Sequence, residues 1–325
     1  MAISQRNTPA PRVTAGGPAS PLERVTFNAL GTVCEIQFAT PDAALGKAFA
    51  AEAVAWVQAF EAKYSRFRPD SLIGRINAAA GRDWVAIDDD AESMFALADQ
   101  IYTLTRGVLD PTLLPLLRLW NYRATPPRIP TSEEITLALS RVGWKRVRRE
   151  PGRIYLPEAG MGLDLGGFGK EYAVDRVADL GVARGVTNLL VDFGHDVRTA
   201  GAPPGKPCWL VGVENPRSLG TSLMTLAVSS RGIASSGNGI RCFTLDGRRY
   251  GHIIDPRNGY PVWNGILQTT VVANSCLEAG LLSTTAVVLG GEEGIQLVES
   301  FFGAEALFLA EGREFQTRGF CQYTV

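Results

Sequence analysis

Residues 163–175, with the sequence LDLGGFGKEYAVD, join three kinds of local pattern in one short segment. Apolar and polar residues alternate over residues 161–165, which is typical of a strand. Three glycines follow, and from Tyr172 onward the apolar spacing is that of a helical face. A glycine turn that leads into a helix presents free backbone N–H groups to an anion, and Lys170 could pair with a phosphate. The segment by itself is compatible with a diphosphate site or with an ordinary tight turn.

The composition of the chain excludes several classes of function. The 325 residues carry a formal net charge of -1, which argues against nucleic acid as the main partner. Two histidines are too few for a His-rich metal site. The five cysteines are scattered without a CxxC pair, which favours reduced and mostly buried thiols.

The two ends of the chain predict one large folded unit behind a tail. Residues 1–24 are rich in Pro, Ala, Gly, Ser and Thr, and we expect a disordered tail there and a folded domain over residues 25–325. No apolar run is long enough for a transmembrane helix, so no stable membrane span is expected. Neither a secretory signal nor a lipid-attachment cysteine is recognisable, which predicts a cytoplasmic protein.

Periodicity predicts a mixture of helices and strands without regular βαβ alternation. Helical spacing covers residues 43–64, 90–105 and 276–289, and alternation broken by Gly31 predicts a hairpin or two edge strands over residues 25–38. The second half is richer in strand-like segments. This arrangement favours an α+β fold over a doubly wound sheet.

His252 is the stronger of the two histidines as a candidate general base. It lies in a strand-like segment, and Asp255 of an Asp-Pro turn is near enough in sequence to orient its ring. The alternative is a structural histidine whose hydrogen bonds are satisfied within the fold.

Eight segments, taken together and in order, resemble the ApbE family of FAD:protein FMN transferases. The resemblance covers nearly all of the chain except the tail. The segments are LGT (30–32), YSRFRPDSLIGRIN (64–77), GVLDPTLLPLLRLW (107–120), LDLGGFGKEYAVD (163–175), VDFGHDV (191–197), ASSGNGIRCF (234–243), HIIDPRNGYPV (252–262) and CLEAGLLSTTAVVLG (276–290).

The resemblance implies a flavin site between two mixed α/β lobes. Members of the family bind FAD there and, with Mg²⁺, move FMN onto a Ser or Thr hydroxyl of an acceptor protein that carries a flavinylation motif, releasing AMP. His252 and Asp255 match the catalytic segment, and the metal ligands would include the main-chain carbonyl of Gly167 and Thr284. The positions that match flavin contacts are Leu30, Phe67, Leu109, Asp110, Pro111, Asp164, Lys170 and Ile254.

Four positions depart from the family pattern, and one of them removes a charge. Gly280 stands where the family has a metal-binding Asp, while His195, Leu30 and Glu171 replace a Gly, a Met and a Gly. Glu278 is a poor substitute because it lies about 200° round the same helix.

Two hypotheses follow from the Gly280 substitution. In the first, the chain is a working transferase whose Mg²⁺ is retained through Glu171, Glu278 or His195. In the second, it binds FAD but has lost metal-dependent transfer, and it acts as a flavin carrier or catalyses different chemistry.

Overall fold

The computed structural model describes residues 11–14, 22–239 and 241–325. The helices are α1 (Ala43–Tyr64), α2 (Leu72–Ala79), α3 (Asp89–Leu104), α4 (Leu114–Leu119), α5 (Ser132–Ser140), α6 (Gly169–Ala183), α7 (Cys276–Leu289) and α8 (Gly291–Glu299). The first nine strands are β1 (Arg12–Thr14), β2 (Glu23–Ala29), β3 (Thr32–Ala39), β4 (Val85–Ala86), β5 (Arg148–Glu150), β6 (Arg153–Tyr155), β7 (Asn188–Phe193), β8 (Asp196–Ala200) and β9 (Trp209–Glu214). The others are β10 (Ser222–Val228), β11 (Gly232–Ser236), β12 (Cys242–Leu245), β13 (Arg248–Gly251), β14 (Ile254–Asp255), β15 (Tyr260–Pro261), β16 (Ile266–Ala273), β17 (Glu305–Ala310) and β18 (Arg313–Gln316).

An antiparallel sheet of nine strands forms the centre of the molecule, in the order β1-β2-β3-β7-β8-β11-β16-β17-β18. The two strands that follow α6 pair with β3 on one side and β11 on the other. Strand β16 is followed two residues later by α7, and α6 packs on β7 and β8 of the same sheet.

The two faces of the sheet are covered differently. Side chains alternate between the faces, so Leu189 and Val191 of β7 join the core under α1 and α6, while Leu190 packs with β9 and β10. Helix α7 packs on β11 and β16, and α6 packs on α7. The sheet therefore has helices on one face and a β-ribbon on the other.

The predicted α+β class is confirmed, and the long periodic segments are correctly placed. Helices α1 and α7 have the predicted bounds, and α3 differs by one residue at each end. The predicted hairpin over residues 25–38 is β2 and β3, joined by Leu30 and Gly31 at φ 55° and 73°. Among the described residues, no helix is both long and apolar enough to cross a membrane.

The strand predicted over residues 161–165 is wrong, although Met161, Leu163 and Leu165 are buried as the alternation requires. The segment pairs with no strand in the described parts of the chain. The side chain of Asn77 donates to the Leu163 carbonyl at 3.0 Å and accepts from the Leu163 N–H at 2.6 Å, in place of a neighbouring strand. Periodicity detects burial, but it does not identify the hydrogen-bond partner.

The expected disordered tail contains a strand. Residues Arg12–Thr14 form β1 and pair with β2, with Arg12 opposite Thr26. The remainder of the predicted tail up to residue 21 lies outside the described residues, apart from residue 11.

Candidate active site

The glycine turn and the start of α6 hold Lys170 against the β7–β8 hairpin. The Lys170 ammonium donates to the Phe193 carbonyl at 3.2 Å and forms an ion pair with the carboxylate of Asp196. A second carboxylate oxygen, Oε1 of Glu171, lies 3.6 Å from the same nitrogen. Lys170 is therefore a partly buried cation shared by two carboxylates at the predicted anion site.

Three of the predicted flavin contacts meet at the turn before α6. Oδ2 of Asp164 lies 2.7 Å from Nε of Arg66, and the backbone N–H of Asp164 donates to the Pro111 carbonyl at 2.8 Å. The Arg66 guanidinium lies 4.0 Å from the ring centre of Phe67. The Phe67 side chain is 63% exposed, so an aromatic face is available to a ligand beside Asp164.

Leu109 and Asp110 are buried beside the same turn. A Cβ on Gly167 would lie 3.4 Å from Leu109, so this leucine backs the glycine turn. The carboxylate of Asp110 accepts from the backbone N–H groups of Thr112 at 2.7 Å and Trp144 at 3.1 Å. Burial raises the pKa of Asp110. Its visible role is to organise the loop, and a direct contact between Asp110 and a flavin stays a prediction.

Leu30 occupies the β2–β3 turn with a left-handed backbone, φ 55°. Its N–H donates to Oε1 of Glu61 at 2.8 Å, which ties the turn to α1. The partly buried side chain packs against the main core. Leu30 is thus held in place by its backbone, as a contact residue would need to be.

The His252 ring is neutral near pH 7 and has an unpartnered nitrogen. Burial, together with the nearby Arg241 guanidinium, lowers the pKa of His252 to about 4. Nδ1 is buried and has no hydrogen-bond partner among the described residues. The Tyr122 ring lies 5.9 Å away between ring centres. A neutral imidazole can accept a proton, as a general base must.

The expectation that Asp255 orients His252 is not met. The carboxylate of Asp255 accepts from Nε and Nη2 of Arg257 at 2.8 and 2.7 Å and from the Arg257 backbone N–H at 2.9 Å. The two residues are close in sequence, but the intervening strand and turn direct the carboxylate to the arginine. Ile254, which was predicted to contact the flavin, packs in the apolar cluster around Trp120.

The backbone next to His252 is held instead by Asn238, a residue outside the predicted site. The Asn238 side chain accepts from the Ile253 N–H at 3.1 Å and donates to the Val262 carbonyl at 3.2 Å. The His252 N–H donates to the Arg241 carbonyl at 3.0 Å. The ASSGNGIRCF motif contains both Asn238 and Arg241, so the motif did carry the signal.

Helix α7 meets α6 at Gly280, the position where the resemblance implies a metal-binding Asp. Gly280 is buried, and a Cβ built on it would lie only 2.6 Å from Cγ of Glu171. The Glu171 side chain therefore occupies the space beside the glycine. One turn later on α7, the Thr284 hydroxyl lies 2.8 Å from the Ser236 hydroxyl.

His195 and Glu278 lie in other surroundings. His195 is exposed in the turn between β7 and β8 at φ 72°, a backbone conformation that explains why a glycine suits this position. Its N–H donates to Oδ1 of Asp192 at 2.7 Å. Oε2 of Glu278 accepts from the Asn274 N–H at 3.2 Å at the start of α7.

The residues around Gly280 suit a hard cation in donor type. No group of three or more His, Cys, Asp or Glu side chains that could hold a metal occurs in the described parts of the chain. The Glu171 carboxylate has a buried oxygen, Oε2, that makes no hydrogen bond to any described residue. Together with the Thr284 hydroxyl and the Gly167 carbonyl, it would give an all-oxygen donor set of the kind that Mg²⁺ prefers.

Comparisons with known proteins agree on one family. The ApbE family profile matches residues 30–308. A Treponema pallidum FAD:protein FMN transferase is 30% identical over 302 residues, covering 86% of this chain and 82% of that protein. A Klebsiella pneumoniae FAD:protein FMN transferase is 29% identical, with coverages of 94% and 90%.

Solved structures show the same similarity. The ApbE protein of Thermotoga maritima superposes with a TM-score of 0.84 at 30% identity, covering 94% of this chain and 99% of that chain. Flavin transferase ApbE from Vibrio cholerae gives a TM-score of 0.81 at 26% identity, with coverages of 93% and 100%.

Proposed function

The chain belongs to the ApbE family, and we propose from that membership that it is an FAD:protein FMN transferase. Its substrates would be FAD and an acceptor protein with a Ser or Thr hydroxyl in a flavinylation motif. The observation that carries the proposal is His252, a neutral imidazole whose buried Nδ1 has no hydrogen-bond partner among the described residues.

The reaction would exchange the phosphoanhydride bond of FAD for a phosphate ester bond to the acceptor. The acceptor oxygen bonds to the phosphorus of the FMN portion, and the bond from that phosphorus to the oxygen of the AMP portion breaks. His252 takes the proton of the acceptor hydroxyl, and AMP leaves with the electron pair of the broken bond. Phosphoryl-type transfer depends mainly on positioning of the reactants and on neutralisation of charge, so the protein needs to contribute little covalent chemistry.

The chain's own groups support the positioning part of this chemistry. The first turn of α6 offers backbone N–H groups, and no side chain caps it at Phe168. The Lys170 ammonium adds positive charge beside them. Phe67 offers an exposed ring for the flavin, held by its contact with Arg66.

A bound Mg²⁺ would neutralise charge on the diphosphate in the transition state. Gly167, Glu171 and Thr284 are the residues that would hold it. This part of the proposal rests on donor chemistry and on the buried oxygen of Glu171.

The second candidate is a flavin-binding homologue that has lost transfer. Gly280 favours it, since no carboxylate extends from that position of α7. The two candidates share FAD binding and differ in whether FMN becomes covalently attached to an acceptor.

One assay separates them. The purified chain is mixed with FAD, MgCl₂ and an acceptor domain that carries a flavinylation motif, and covalent flavin is detected by in-gel fluorescence. A fluorescent acceptor band that is lost in His252→Gln supports the transferase. FAD-dependent stabilisation without labelling supports the homologue, and neither labelling nor a rise in Tm with FAD would exclude both.

The expected cytoplasmic location is a separate proposal that rests on the sequence alone. Immunodetection in fractionated cells that express the native gene tests it, and recovery in the envelope or periplasmic fraction would contradict it.

A further inference from the structure

Glu171 and Gly280 fit each other as a complementary pair across the α6–α7 contact. The Cβ that Gly280 lacks would lie 2.6 Å from Cγ of Glu171 and 3.3 Å from its carboxyl carbon. No ordinary side chain fits at position 280 unless Glu171 moves. The carboxyl group of Glu171 therefore lies next to the point where an aspartate at position 280 would begin its side chain.

The Glu171 carboxylate lies in a cluster with excess negative charge. Glu171 is only 9% exposed and Asp196 only 6% exposed. In the described parts of the chain, Lys170 is the one cation within ion-pair distance of either carboxylate. One positive charge serves two buried carboxylates, and Oε2 of Glu171 has no hydrogen-bond partner. Buried charge without a partner is costly, so a further cation would stabilise the cluster.

The hydroxyl groups on α7 and β11 point to the same conclusion independently. Ser283 Oγ lies 3.1 Å from the Gly280 carbonyl and can donate to it. Ser236 Oγ lies 2.8 Å from Ser283 Oγ and 2.8 Å from Thr284 Oγ1, and either atom of each pair can be the donor. Whichever atom donates, the oxygen of Thr284 keeps at least one lone pair for a cation.

We propose that Glu171 supplies from α6 the carboxylate ligand for a divalent cation that position 280 of α7 no longer provides, with the Thr284 hydroxyl as its neighbour. Residues 280 and 284 lie one turn apart on the same side of α7, which places a group beside Gly280 close to Thr284. The role of this cation in flavin transfer rests on the proposed function, whereas the binding of the cation does not.

Of the three residues considered as a replacement for the metal-binding Asp, the structure favours Glu171 over Glu278 and His195. Glu278 lies about 200° from Gly280 round α7 and bonds the Asn274 N–H, so it faces away from this cluster. His195 is exposed in the β7–β8 turn, and its N–H is bonded to Asp192.

The test is a titration of the full-length protein with MnCl₂, in which free Mn²⁺ is followed by electron paramagnetic resonance with and without FAD. We expect saturable binding to the unaltered chain and a loss of about tenfold or more in affinity for Glu171→Gln, which keeps the side-chain shape. The exchanged double variant Glu171→Gly/Gly280→Asp should regain most of the affinity, because it returns the carboxylate to α7. Glu278→Gln is the matched control and should bind Mn²⁺ like the unaltered chain.

Several outcomes would overturn the inference. These are no saturable Mn²⁺ binding, equal affinity in Glu171→Gln, or a double variant that folds but binds no better than Glu171→Gln. Thermal melting of each variant checks folding, and Gly280→Asp alone should melt at a lower temperature because its Cβ meets Glu171.

Flavin transfer measured in parallel keeps the two proposals apart. Glu171-dependent Mn²⁺ binding without acceptor labelling would reject only the transferase. Acceptor labelling with Mn²⁺ affinity independent of Glu171 would reject only the role of Glu171.

Discussion

At the scale of single residues, the site depends on groups that the fold leaves without partners. Nδ1 of His252 and Oε2 of Glu171 are both buried and make no hydrogen bond within the described residues. Most buried polar atoms in proteins are satisfied, so exceptions of this kind call for an explanation. A proton acceptor and a cation ligand are explanations that suit an imidazole and a carboxylate, respectively.

The lowered pKa of His252 predicts a specific loss of stability in acid. Its pKa is about 4 in the folded chain, against an ordinary value of 6.5, so the unfolded chain binds more protons between these values. Stability should therefore fall as the pH drops from about 6.5 to about 4, by up to about 3 kcal/mol from this group. Urea unfolding at a series of pH values measures it.

The matched controls for this prediction are the two single-histidine variants. His252→Gln should lose this part of the acid sensitivity, whereas His195→Gln, which removes the exposed histidine, should keep it. Equal pH dependence in His252→Gln and the unaltered chain would show that the imidazole is not buried in its neutral form.

At the scale of elements, α6 and α7 form one unit. Asp175 lies one turn after Glu171 on α6 and accepts from the N–H groups of Cys276 and Leu277 at the start of α7, both at 2.8 Å. Burial at this contact raises the pKa of Asp175. The same face of α6 therefore caps α7 with one carboxylate and fills the gap at Gly280 with another.

Removing the Asp175 cap should destabilise the protein and loosen this unit. We expect Asp175→Ala to lower the free energy of unfolding by about 1–2 kcal/mol, since it removes two bonds to the free N–H groups of a helix start. The exposed Asp179 lies one turn further along α6, and Asp179→Ala should change stability by less than about 0.5 kcal/mol. Chemical denaturation compares the two, and equal losses would mean that the cap contributes nothing.

At the scale of the whole molecule, Trp120 from the first half of the sequence contacts the segment that contains His252. Trp120 is 3% exposed, and its indole N–H donates to the Gly259 carbonyl at 2.8 Å. Its ring stacks on Tyr250 at 5.8 Å between ring centres. The 107–120 motif and the 252–262 motif are thus in direct contact, so a substitution in one should alter the stability of the other.

This connection predicts that Trp120→Phe will affect stability and activity together. The variant keeps an aromatic ring but leaves the buried Gly259 carbonyl without this donor, at a cost of about 1–3 kcal/mol. Transfer of FMN should fall as well, because the turn after His252 loses its support. Trp263→Phe is the control, since Trp263 is 52% exposed and should change little. An unaltered unfolding midpoint in Trp120→Phe would contradict the prediction.

The sequence by itself determined the parts of this protein that depend on local pattern and on motif order. The bounds of α1 and α7 follow from residues near one another in the chain, whereas the α+β class and the ApbE family follow from the order of patterns and motifs along it. Helix periodicity and capping act over a few residues, which is why they can be read without the fold.

The tertiary structure alone decided which side chains meet. The Asp255 carboxylate bonds to Arg257 and not to His252. The N–H and C=O groups of Leu163 bond to the Asn77 side chain and not to a neighbouring strand. The tertiary structure also placed the Glu171 side chain of α6 in the space beside Gly280 of α7. Such contacts depend on how α6 and α7 pack on the sheet, and sequence spacing carries no information about that packing.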